Sequence, residues 1–560
     1  MLSHVIGSTE PALLDHTIGE ALDRAAARWA DGLALVDRGQ QVRLTWSELR
    51  EHSDALAAGL MALGLEKGAR IGIWSLNRWE WTVTQFAAAK AGLVLVTINP
   101  AYRLAELEYA LDRSGCSAIV LAPRFKTSDY LGMIQTLLPE MSDAGNGIIH
   151  SERLLMLRYV IQLGPDPVPG AMSFAHVEEL GRKTGVVDLR EREAQLRPEE
   201  PINIQFTSGT TGNPKGVTLS HRSILNNGYF VGQGIGIGPE DRLCIPVPLY
   251  HCFGLSMGNL ACLTLGATMV YPGEGFDPLA TLETIAAERC TSLYGVPTMF
   301  IAELEHPRFA EFDLSSLRTG IMAGSPCPIE VMRKVAERMH MSEVTICYGM
   351  TETSPVSFQS AVDDPLERRV STVGHVHPHV EVKIVDSDGN IVPCGQSGEL
   401  YTRGYSVMIG YWNDATNTNA AKDPEGWMHS GDLATIDQDG YCNIVGRLKD
   451  MVIRGGENLY PREIEEFLYR HPAIRDVQIF GVPDAKYGEE LCAWVIVQDD
   501  MSLGAGDIRA FCSGQIAHQK IPRYIKFVDG FPLTVTGKVQ KFIMRDAMIE
   551  ELQLKIEETA

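Results

Sequence analysis

Short apolar runs alternate with longer amphipathic stretches through most of this 560-residue chain, and this alternation limits the folds open to it. Runs bounded by Gly, Pro and polar residues are typical of buried strands, whereas the stretches between them have helical spacing. We therefore predict an α/β protein with βα layering and parallel sheet. The runs in question read ARIGIW, LVLVTI, SAIVLA, LCIPVPL, ATMVYP, SLYGV, RTGIMAG and VTICYG.

The pattern changes near Gly446, which predicts a second domain. Beyond this point the sequence predicts a helix starting near Pro461, strands at VQIFGV, LCAWVIV and YIKFV, and a last helix, which together make a small α+β unit. We place a large N-terminal domain at 1–448 and a small mobile C-terminal domain at 449–560. The short charged segment from Gly446 to Asp450 would then act as a hinge.

Composition disfavours several function classes. The formal net charge of −22 at pH 7 argues against nucleic acid or an anionic membrane surface as a partner. The eleven cysteines contain no CxxC pair, so neither a zinc site nor a disulfide framework is indicated, and a reducing cytoplasm fits best. The first ten residues lack the pattern of a secretory signal. A homodimer is left open.

One long stretch without charged residues needs a separate explanation. Residues 243–273 contain no Asp, Glu, Lys or Arg, as a membrane span would, but prolines and glycines interrupt them repeatedly. We expect buried core strands and a pocket wall here, and no integral membrane segment.

The run TSGTTGNPKG at 207–216 is suited to holding phosphate. Glycines let backbone N–H groups approach an anion closely, the Thr and Ser hydroxyls can donate hydrogen bonds, and Lys215 supplies a positive charge. A mobile surface turn explains the same composition equally well. The run is not a Walker motif, because Lys215 follows Pro214 and precedes Gly216 instead of standing in Gly-Lys-Ser/Thr.

Further motifs carry residues that could bind a nucleotide. Tyr348 offers an aromatic face for a purine, Thr351 a hydroxyl for phosphate, and Glu352 a carboxylate for phosphate-bound Mg²⁺, although a strand end before a helix start explains them as well. Asp432, predicted in a tight turn, could accept hydrogen bonds from both hydroxyls of a ribose. Three cations follow that individually pass for surface charges: Arg447, Lys449 and Lys538.

Ser256 keeps a rival function open. Gly254 to Gly258 reads GLSMG, which matches the nucleophile elbow of serine hydrolases. So short a pattern arises by chance in a long chain, and a small residue lining a pocket is the plainer explanation. A non-catalytic nucleotide-binding regulator is a third class, against which the presence of both Lys449 and Lys538 argues.

In this order the motifs resemble the adenylate-forming superfamily of acyl-CoA synthetases, luciferases and peptide-synthetase adenylation domains. The resemblance covers the chain from about the first helix to Lys541. YTRGYSVMIGYW and IRGGENLYPREIE look closest to mitochondrial-type medium-chain acyl-CoA synthetases and their bacterial fatty-acid relatives. The resemblance to the superfamily rests on TSGTTGNPKG, YGMTE, SGDL, GRLKDMVIRGGENLYPREIE and TGKVQK. It implies an AMP-forming acid–thiol ligase that uses ATP, Mg²⁺ and CoA.

The resemblance also implies roles for the matching residues. Lys538 would bridge the substrate carboxylate and the α-phosphate of ATP, and Thr351 would contact the same phosphate. Glu352 would bind Mg²⁺, Tyr348 would stack on adenine, and Asp432 would hold the ribose. The catalytic set is thus Lys538, Thr351 and Glu352. The implied ATP-binding set is Thr207, Ser208, Gly209, Thr210, Thr211, Gly212, Lys215, Gly324, Tyr348, Gly349, Thr351, Asp432, Arg447 and Lys538.

For the other two substrates the resemblance implies fewer residues. His251 and Gly324 would flank the acyl pocket, and Gly320, Gly324 and the apolar run around Leu255 suggest an unobstructed channel. Gly455 and Gly456 match the loop beside the tunnel for the pantetheine arm of CoA. Lys449 matches the hinge position.

The class of acid is only partly readable. Amino-acid-activating relatives carry an aspartate that holds the substrate ammonium, but the comparable text here, YHCFG at 250–254, has no acid. A plain carboxylic acid is therefore expected, and a medium-chain fatty acid is the choice that the resemblance favours. A short, branched or aromatic acid is the alternative. The chain ends soon after Lys538, so we expect free CoA and not a fused carrier domain as the acceptor.

Overall fold

The computed structural model describes residues 1–125, 127–144, 147–207, 214–325, 327–454, 457–484, 486–533 and 539–554. The chain falls into two compact units. The larger unit comprises Val5–Val382 and Thr402–Met428, and the smaller unit comprises Met1–His4, Lys383–Tyr401 and His429–Ala560. Both units mix helices with sheet, which confirms the predicted α/β class with a large and a small part.

The helices of the larger unit pack around its sheets. The helix Trp46–Ala62 begins with the capping box that the sequence contains, since Glu48 N–H donates to the Thr45 hydroxyl and Thr45 N–H donates back to the Glu48 carboxylate. The helices are Ile18–Arg28, Trp46–Ala62, Trp79–Ala91, Leu104–Ser114, Tyr130–Leu137, Phe174–Thr184, Val187–Glu193, His221–Gly234, Ala261–Leu265, Pro278–Glu288, Pro297–Leu304, Ile329–Arg338, Leu366–Ser371 and Ala415–Ala421.

A nine-stranded sheet runs through the larger unit. It is parallel from Glu343–Gly349 to Leu33–Asp37 and antiparallel at both edges. The parallel part confirms the strands predicted at ATMVYP, SLYGV, RTGIMAG and VTICYG. The order is His375–Val376, Val356–Gln359, Glu343–Gly349, Thr319–Ala323, Ser292–Gly295, Arg242–Cys244, Thr268–Tyr271, Leu33–Asp37 and Val42–Thr45.

A second sheet of eight strands contains the strands predicted at ARIGIW, LVLVTI and SAIVLA. It is parallel up to Pro201–Thr207 and then continues through two antiparallel strands, Lys215–Ser220 and Gly410–Tyr411. This antiparallel end brings together the flanks of the glycine-rich run. The order is Met172–Ser173, Tyr159–Gln162, Cys116–Leu121, Arg70–Trp74, Val94–Thr97, Pro201–Thr207, Lys215–Ser220 and Gly410–Tyr411. A separate hairpin pairs Arg124–Phe125 with Ser128–Asp129.

The prediction of a strand at LCIPVPL is mostly wrong. Only Arg242–Cys244 is a strand, because Pro246 and Pro248 supply no N–H groups to a sheet. The buried side chain of Asn77 takes the place of a neighbouring strand. Its amide donates to the carbonyls of Ile245 and Val247, at 3.3 and 2.9 Å, and accepts from the N–H of Leu249 at 2.8 Å.

The uncharged stretch 243–273 is buried as predicted, but part of it is helical and not strand. Phe253–Leu260 is a helix with π-type hydrogen bonding, and all of its residues are buried. Within the described part of the chain, no helix is both long and apolar enough to cross a membrane.

The smaller unit contains a five-stranded sheet and three of the chain's helices among its described residues. The strand Gly488–Val497 pairs antiparallel with Ile474–Asp484 and parallel with Tyr524–Phe527, which confirms the three predicted strands. Lys541 fixes the last helix, since its ammonium donates to the Glu465 carboxylate at 2.6 Å. The other elements are the strands Val452–Arg454 and Glu457–Leu459 and the helices Pro461–Leu468, Ala505–Cys512 and Lys541–Glu551.

Five further strands are His4–Ile6, Val380–Val385, Gly398–Gly404, Met428–Ile436 and Cys442–Arg447. The first four lie at or beside the residues at which the chain divides into the two units, and Cys442–Arg447 follows them. The last two pair antiparallel.

All eleven cysteines are free thiols, and ten of them are buried. Burial raises the pKa of Cys116 and of Cys512 to about 11 each, so these thiols stay protonated at neutral pH. Cys394, in the smaller unit, is the exception because it is only partly buried.

Candidate functional site

The flanks of the glycine-rich run are held side by side in the larger unit. Thr207 closes one strand, Lys215 opens the next, and the two residues are register partners. The Thr207 hydroxyl also donates to the Lys215 carbonyl at 3.4 Å. The predicted binding residues between them lie outside the described residues: Ser208, Gly209, Thr210, Thr211 and Gly212.

Lys215 contacts an aromatic ring from the neighbouring strand. Its ammonium nitrogen lies 5.1 Å from the centre of the Tyr411 ring, within the range of a cation–π interaction. Tyr411 belongs to the strand Gly410–Tyr411 and is the register partner of Val217. The sheet itself therefore sets the distance between the lysine and this ring.

Glu352 contacts the same tyrosine. It lies in a single 3₁₀ turn, Thr351–Thr353, and is 7% exposed. The Tyr411 hydroxyl donates to Glu352 Oε1 at 2.9 Å. Burial and the nearby Glu352 carboxylate raise the pKa of Tyr411, so the phenol stays protonated and remains a hydrogen-bond donor at neutral pH. The Tyr411 side chain thus contacts both Lys215, the lysine of the glycine-rich run, and Glu352, the carboxylate of the YGMTE motif.

The backbone of the YGMTE motif is fixed by close packing. A Cβ on Gly349 would lie 1.7 Å from the carbonyl oxygen of Pro355, so only glycine fits there. The buried amide of Asn227 holds the returning chain, because it accepts from Val356 N–H at 3.0 Å and donates to Val356 C=O at 2.8 Å. Tyr348 precedes this turn and is partly exposed, with its ring centre 6.2 Å from that of Phe358.

The two glycines assigned to an acyl channel have different explanations. Gly324 follows the strand Thr319–Ala323 with φ +93°, a conformation that favours glycine. A Cβ on Gly320 would lie 2.0 Å from the carbonyl oxygen of Leu293 on the neighbouring strand. Gly320 is therefore required by sheet packing, and the acyl channel stays a prediction.

His251, assigned to the acyl pocket, is partly buried just before the helix Phe253–Leu260. Its Nδ1 accepts from the backbone N–H of Phe253 at 3.3 Å. In neutral imidazole an accepting Nδ1 leaves the proton on Nε2. The side chain is therefore oriented by the start of this helix.

The geometry at Ser256 contradicts a nucleophile elbow. The side chain is fully buried in the helix Phe253–Leu260, and its hydroxyl lies 3.1 Å from each of the carbonyl oxygens of Ile224 and Ser354. An elbow instead presents its serine at an exposed strand-to-helix turn. A Cβ on Gly254 would lie 2.4 Å from the Pro248 carbonyl, so close packing explains this glycine.

In the smaller unit, Asp432 does not lie in a tight turn, as the sequence predicted, but within the strand Met428–Ile436. Gly431, with φ +68°, precedes it and produces the turn-like signal. Asp432 is the register partner of Arg447, whose Nε donates to Asp432 Oδ1 at 3.1 Å. The Arg447 side chain is 51% exposed, whereas the Asp432 side chain is 10% exposed.

Lys449 lies in an exposed 3₁₀ turn, Leu448–Asp450. Gly455, Gly456 and Lys538 lie outside the described residues. The described residues on either side of Lys538 are paired, since Leu533 and Val539 form an antiparallel bridge.

The described residues contain no group of three or more His, Cys, Asp or Glu side chains that could hold a metal ion. A metal bound by these residues would need most of its ligands from substrate or water. Mg²⁺ is commonly bound in this way, through one or two carboxylates together with phosphate oxygens.

Sequence reasoning missed Tyr411. The residue lies in YTRGYSVMIGYW, which was recognised only as a family-like text without a role for any of its side chains. No local pattern links a tyrosine at 411 to Lys215 and Glu352. The link depends on the antiparallel pairing of Gly410–Tyr411 with Lys215–Ser220.

Two family models match the chain. One, described as AMP-binding enzyme, matches residues 22–412, and the other, described as AMP-binding enzyme C-terminal domain, matches residues 463–538.

Curated relatives match over nearly the whole chain. A Bacillus subtilis protein named "Putative acyl-CoA synthetase YngI" is 47% identical over 97% of this chain and 99% of its own length. The Danio rerio protein named "Medium-chain acyl-CoA ligase ACSF2, mitochondrial" is 45% identical over 99% of this chain and 91% of its own. Among solved structures, the anthranilate CoA ligase AuaEII in complex with anthranoyl-AMP superposes with a TM-score of 0.85 at 26% identity, covering 97% of this chain and 99% of its own.

Proposed function

This chain belongs to the AMP-binding enzyme family and is an AMP-forming acid–CoA ligase, and from that premise we propose that it activates a medium-chain fatty acid. The acid first reacts with ATP to give an acyl-adenylate and pyrophosphate. CoA then displaces AMP and the acyl-CoA is released. The observation that carries the residue assignment is the contact of both Lys215 and Glu352 with Tyr411, beside the paired ends of the glycine-rich run.

In the first step the substrate carboxylate is itself the nucleophile, and it attacks the α-phosphate of ATP. The protein therefore supplies positioning and positive charge, and no serine or cysteine nucleophile is needed. The buried state of Ser256 agrees with this chemistry. Lys215 and the glycine-rich run would hold the phosphates that leave, Thr351 would contact the α-phosphate, and Lys538 would neutralise charge between that phosphate and the carboxylate.

The residues at Glu352 fit the binding of Mg²⁺. The carboxylate is buried at the end of the described YGMTE turn, and a single carboxylate matches an ion that takes its other ligands from phosphates and water. When bound there, Mg²⁺ would neutralise phosphate charge and assist the departure of pyrophosphate. The protein's own part is to orient Glu352, which the hydrogen bond from Tyr411 supports.

The smaller unit would hold the ribose and exchange the groups needed in the two steps. Asp432 has two oxygens for the two ribose hydroxyls, and Arg447, which contacts it, would bind ribose or phosphate. We place the domain boundary between 448 and 449, with Lys449 as hinge. Lys538 would withdraw after adenylation while Gly455 and Gly456 approach to admit the thiol of CoA. The exposed 3₁₀ turn at Leu448–Asp450 is compatible with such a hinge.

The choice of acid rests on the relatives. The Danio rerio protein is named as a medium-chain ligase and is 45% identical to this chain, whereas the structural neighbour is named as a ligase of an aromatic acid and is 26% identical. The higher identity favours a medium-chain fatty acid, and lipid metabolism as its context. A short, branched or aromatic acid is the second candidate. His251 and Gly324 are proposed to line the acyl pocket.

We also propose the cytoplasm as the site of action. Eleven cysteines, none of them in a disulfide, support a reducing compartment. A fluorescent fusion at either terminus tests this, and localisation to an oxidising compartment would contradict it.

The test of function is AMP release that depends on both ATP and CoA, measured over straight-chain acids of about 2 to about 16 carbons, branched acids and aromatic acids. The ratios of kcat/KM then report which acid the enzyme prefers. We expect a maximum at medium chain length. A maximum at benzoate-like acids would overturn the substrate proposal and leave the ligase intact. ATP-independent ester cleavage would instead favour the hydrolase.

A further inference from the structure

We propose that Tyr411 is a positioning residue that sets the affinity of the enzyme for metal-bound ATP, by orienting Glu352 through its hydroxyl and Lys215 through its ring. This proposal rests on the roles proposed above for those two residues. It adds a residue that lies in neither motif and that no sequence pattern identified.

Tyr411 is itself held by backbone contacts on two sides. It is the register partner of Val217 in the eight-stranded sheet, and its N–H donates to the Thr418 hydroxyl at 2.9 Å. That hydroxyl in turn donates to the Asp414 carbonyl at 2.7 Å. The ring and the phenol oxygen are therefore placed before any ligand arrives.

The same chain segment reaches Glu352 twice. Tyr411 donates to the carboxylate at 2.9 Å, and the N–H of Met408 donates to the Glu352 carbonyl at 2.8 Å. The segment is tied down by Lys422, whose ammonium donates to the carbonyls of Met408 and Ile409 at 3.0 and 2.8 Å. Glu352 is thus fixed at its backbone and at one carboxylate oxygen by a single rigid segment.

Lys215 gains a different benefit from the ring. A lysine side chain has many rotamers, and restricting it on ligand binding costs entropy. An ammonium that already lies 5.1 Å from the centre of the Tyr411 ring is partly restricted beforehand. The two contacts use different parts of Tyr411, so two substitutions separate them. Tyr411→Phe removes the hydroxyl alone, and Tyr411→Leu removes both the hydroxyl and the aromatic face.

Isothermal titration calorimetry of the full-length protein with ATP, in excess Mg²⁺ and in EDTA, tests the proposal without using turnover. Loss of a hydrogen bond to a charged group corresponds to a change of roughly tenfold in affinity. We expect Tyr411→Phe to weaken ATP binding about tenfold in Mg²⁺ and to leave binding in EDTA unchanged. Tyr411→Leu should weaken binding in both buffers, because Lys215 loses its ring. Tyr229→Phe is the matched control, since the Tyr229 hydroxyl accepts from the Gln233 amide at 2.9 Å and has no part in the proposed site.

A double-mutant cycle separates this inference from the proposed function. In a Glu352→Gln background, Tyr411→Phe should cause no further loss of affinity in Mg²⁺. Equal weakening by Tyr411→Phe with and without Mg²⁺, or no weakening at all, would overturn the role of Tyr411 while Glu352→Gln still reports the metal site. Binding by Glu352→Gln equal to wild type in Mg²⁺ would overturn the assigned role of Glu352 and this inference with it. Circular dichroism checks that each variant is folded.

Discussion

In the larger unit, Glu352 is 7% exposed and contacts the same tyrosine as Lys215, whereas in the smaller unit Asp432 contacts an arginine whose side chain is 51% exposed. In the first arrangement, the Tyr411 hydroxyl and the Met408 N–H both hold Glu352, and the Tyr411 ring contacts Lys215. The second is a cross-strand pair that water can reach. Under the proposed roles, the residues for the phosphates are already held by protein contacts within the larger unit, whereas the arginine proposed for the ribose is half exposed to water.

The largest effect is expected at a residue of the smaller unit. Lys538→Ala should lower adenylate formation about 1,000-fold, since removal of one group that stabilises developing charge typically costs this much. Thioester formation from preformed acyl-adenylate should remain, because the role proposed for Lys538 is confined to the adenylation step. ATP–pyrophosphate exchange measures the first reaction, and acyl-CoA release from synthetic adenylate measures the second.

The control is Lys520→Ala, which removes a lysine of the same unit that pairs with Glu463 at 2.5 Å. It should leave both reactions unchanged. Equal loss of the two half-reactions in Lys538→Ala would contradict the role assigned to Lys538.

In the larger unit, Glu352→Gln should lower the rate of exchange about 100-fold, because the amide keeps the shape but loses the charge that attracts Mg²⁺. Raising Mg²⁺ should restore part of the rate if the loss is in metal binding. Glu343→Gln is the control, as Glu343 begins the strand Glu343–Gly349, which precedes the turn that contains Glu352, and pairs with Arg318 at 2.9 Å. Magnesium dependence identical to wild type in Glu352→Gln would break the comparison between the two units.

Acid should destabilise the larger unit. Burial lowers the pKa of His221 and of His377 from 6.5 to about 3, so below pH 6.5 the unfolded chain takes up protons that the folded chain refuses. The free energy of unfolding should then fall by up to about 1.4 kcal/mol per pH unit for each histidine as the pH drops from 6.5 towards 3. His221 must be neutral to accept from Ile18 N–H, at 3.2 Å. The described part of the smaller unit has no buried histidine.

Urea unfolding followed by tryptophan fluorescence measures this, since seven of the eight tryptophans lie in the larger unit. His377→Gln should flatten the pH dependence between pH 6.5 and 4.5, and the exposed His176→Gln should leave it as in wild type. An unchanged slope in His377→Gln would show that this histidine does not stay neutral.

A smaller effect is expected at the ribose side. Arg447→Lys keeps the positive charge but loses the planar fork, and its side chain is half exposed, so the KM for ATP should rise about fivefold with little change in kcat. Steady-state kinetics of AMP release separates the two constants. A 100-fold loss would mean that the two sides of the site are equally organised.

The smallest effect is expected at Ser256. Ser256→Ala removes a buried hydroxyl whose single proton is donated to the carbonyl oxygens of Ile224 and Ser354, and it should cost about 1 to 2 kcal/mol of stability, with ligase activity at wild-type level below the unfolding temperature. Thermal unfolding and AMP release check both points. Loss of an ATP-independent esterase activity in this variant would revive the hydrolase.

The fold was largely predictable because most strands have a recognisable apolar sequence pattern. The parallel strands Arg70–Trp74, Val94–Thr97 and Cys116–Leu121 are short, apolar and buried, so composition alone identifies them. LCIPVPL failed because its apolar composition is that of a strand while Pro246 and Pro248 remove the donors, and the substitute partner, Asn77, is distant in sequence. The helix Phe253–Leu260 was missed since a buried helix and a buried strand are both apolar on every side.

The sequence singled out candidate site residues but not the contacts between them. Asp432 and Arg447 were each singled out, yet their pairing depends on the register of two strands. Asp432 was misassigned to a turn because Gly431 gives a turn signal inside a strand. No local sequence pattern identifies Tyr411, and its contacts with Lys215 and Glu352 depend on the pairing of strands that are distant in sequence.

The distribution of thiols makes the native chain ready for site-selective labelling. Ten cysteines are shielded from solvent, whereas Cys394 is partly accessible and belongs to the smaller unit. A maleimide fluorophore should therefore attach at one position without any cysteine being removed by mutation. The anisotropy and quenching of the fluorophore during each half-reaction would then report movements of the smaller unit in real time, in an enzyme without substitutions.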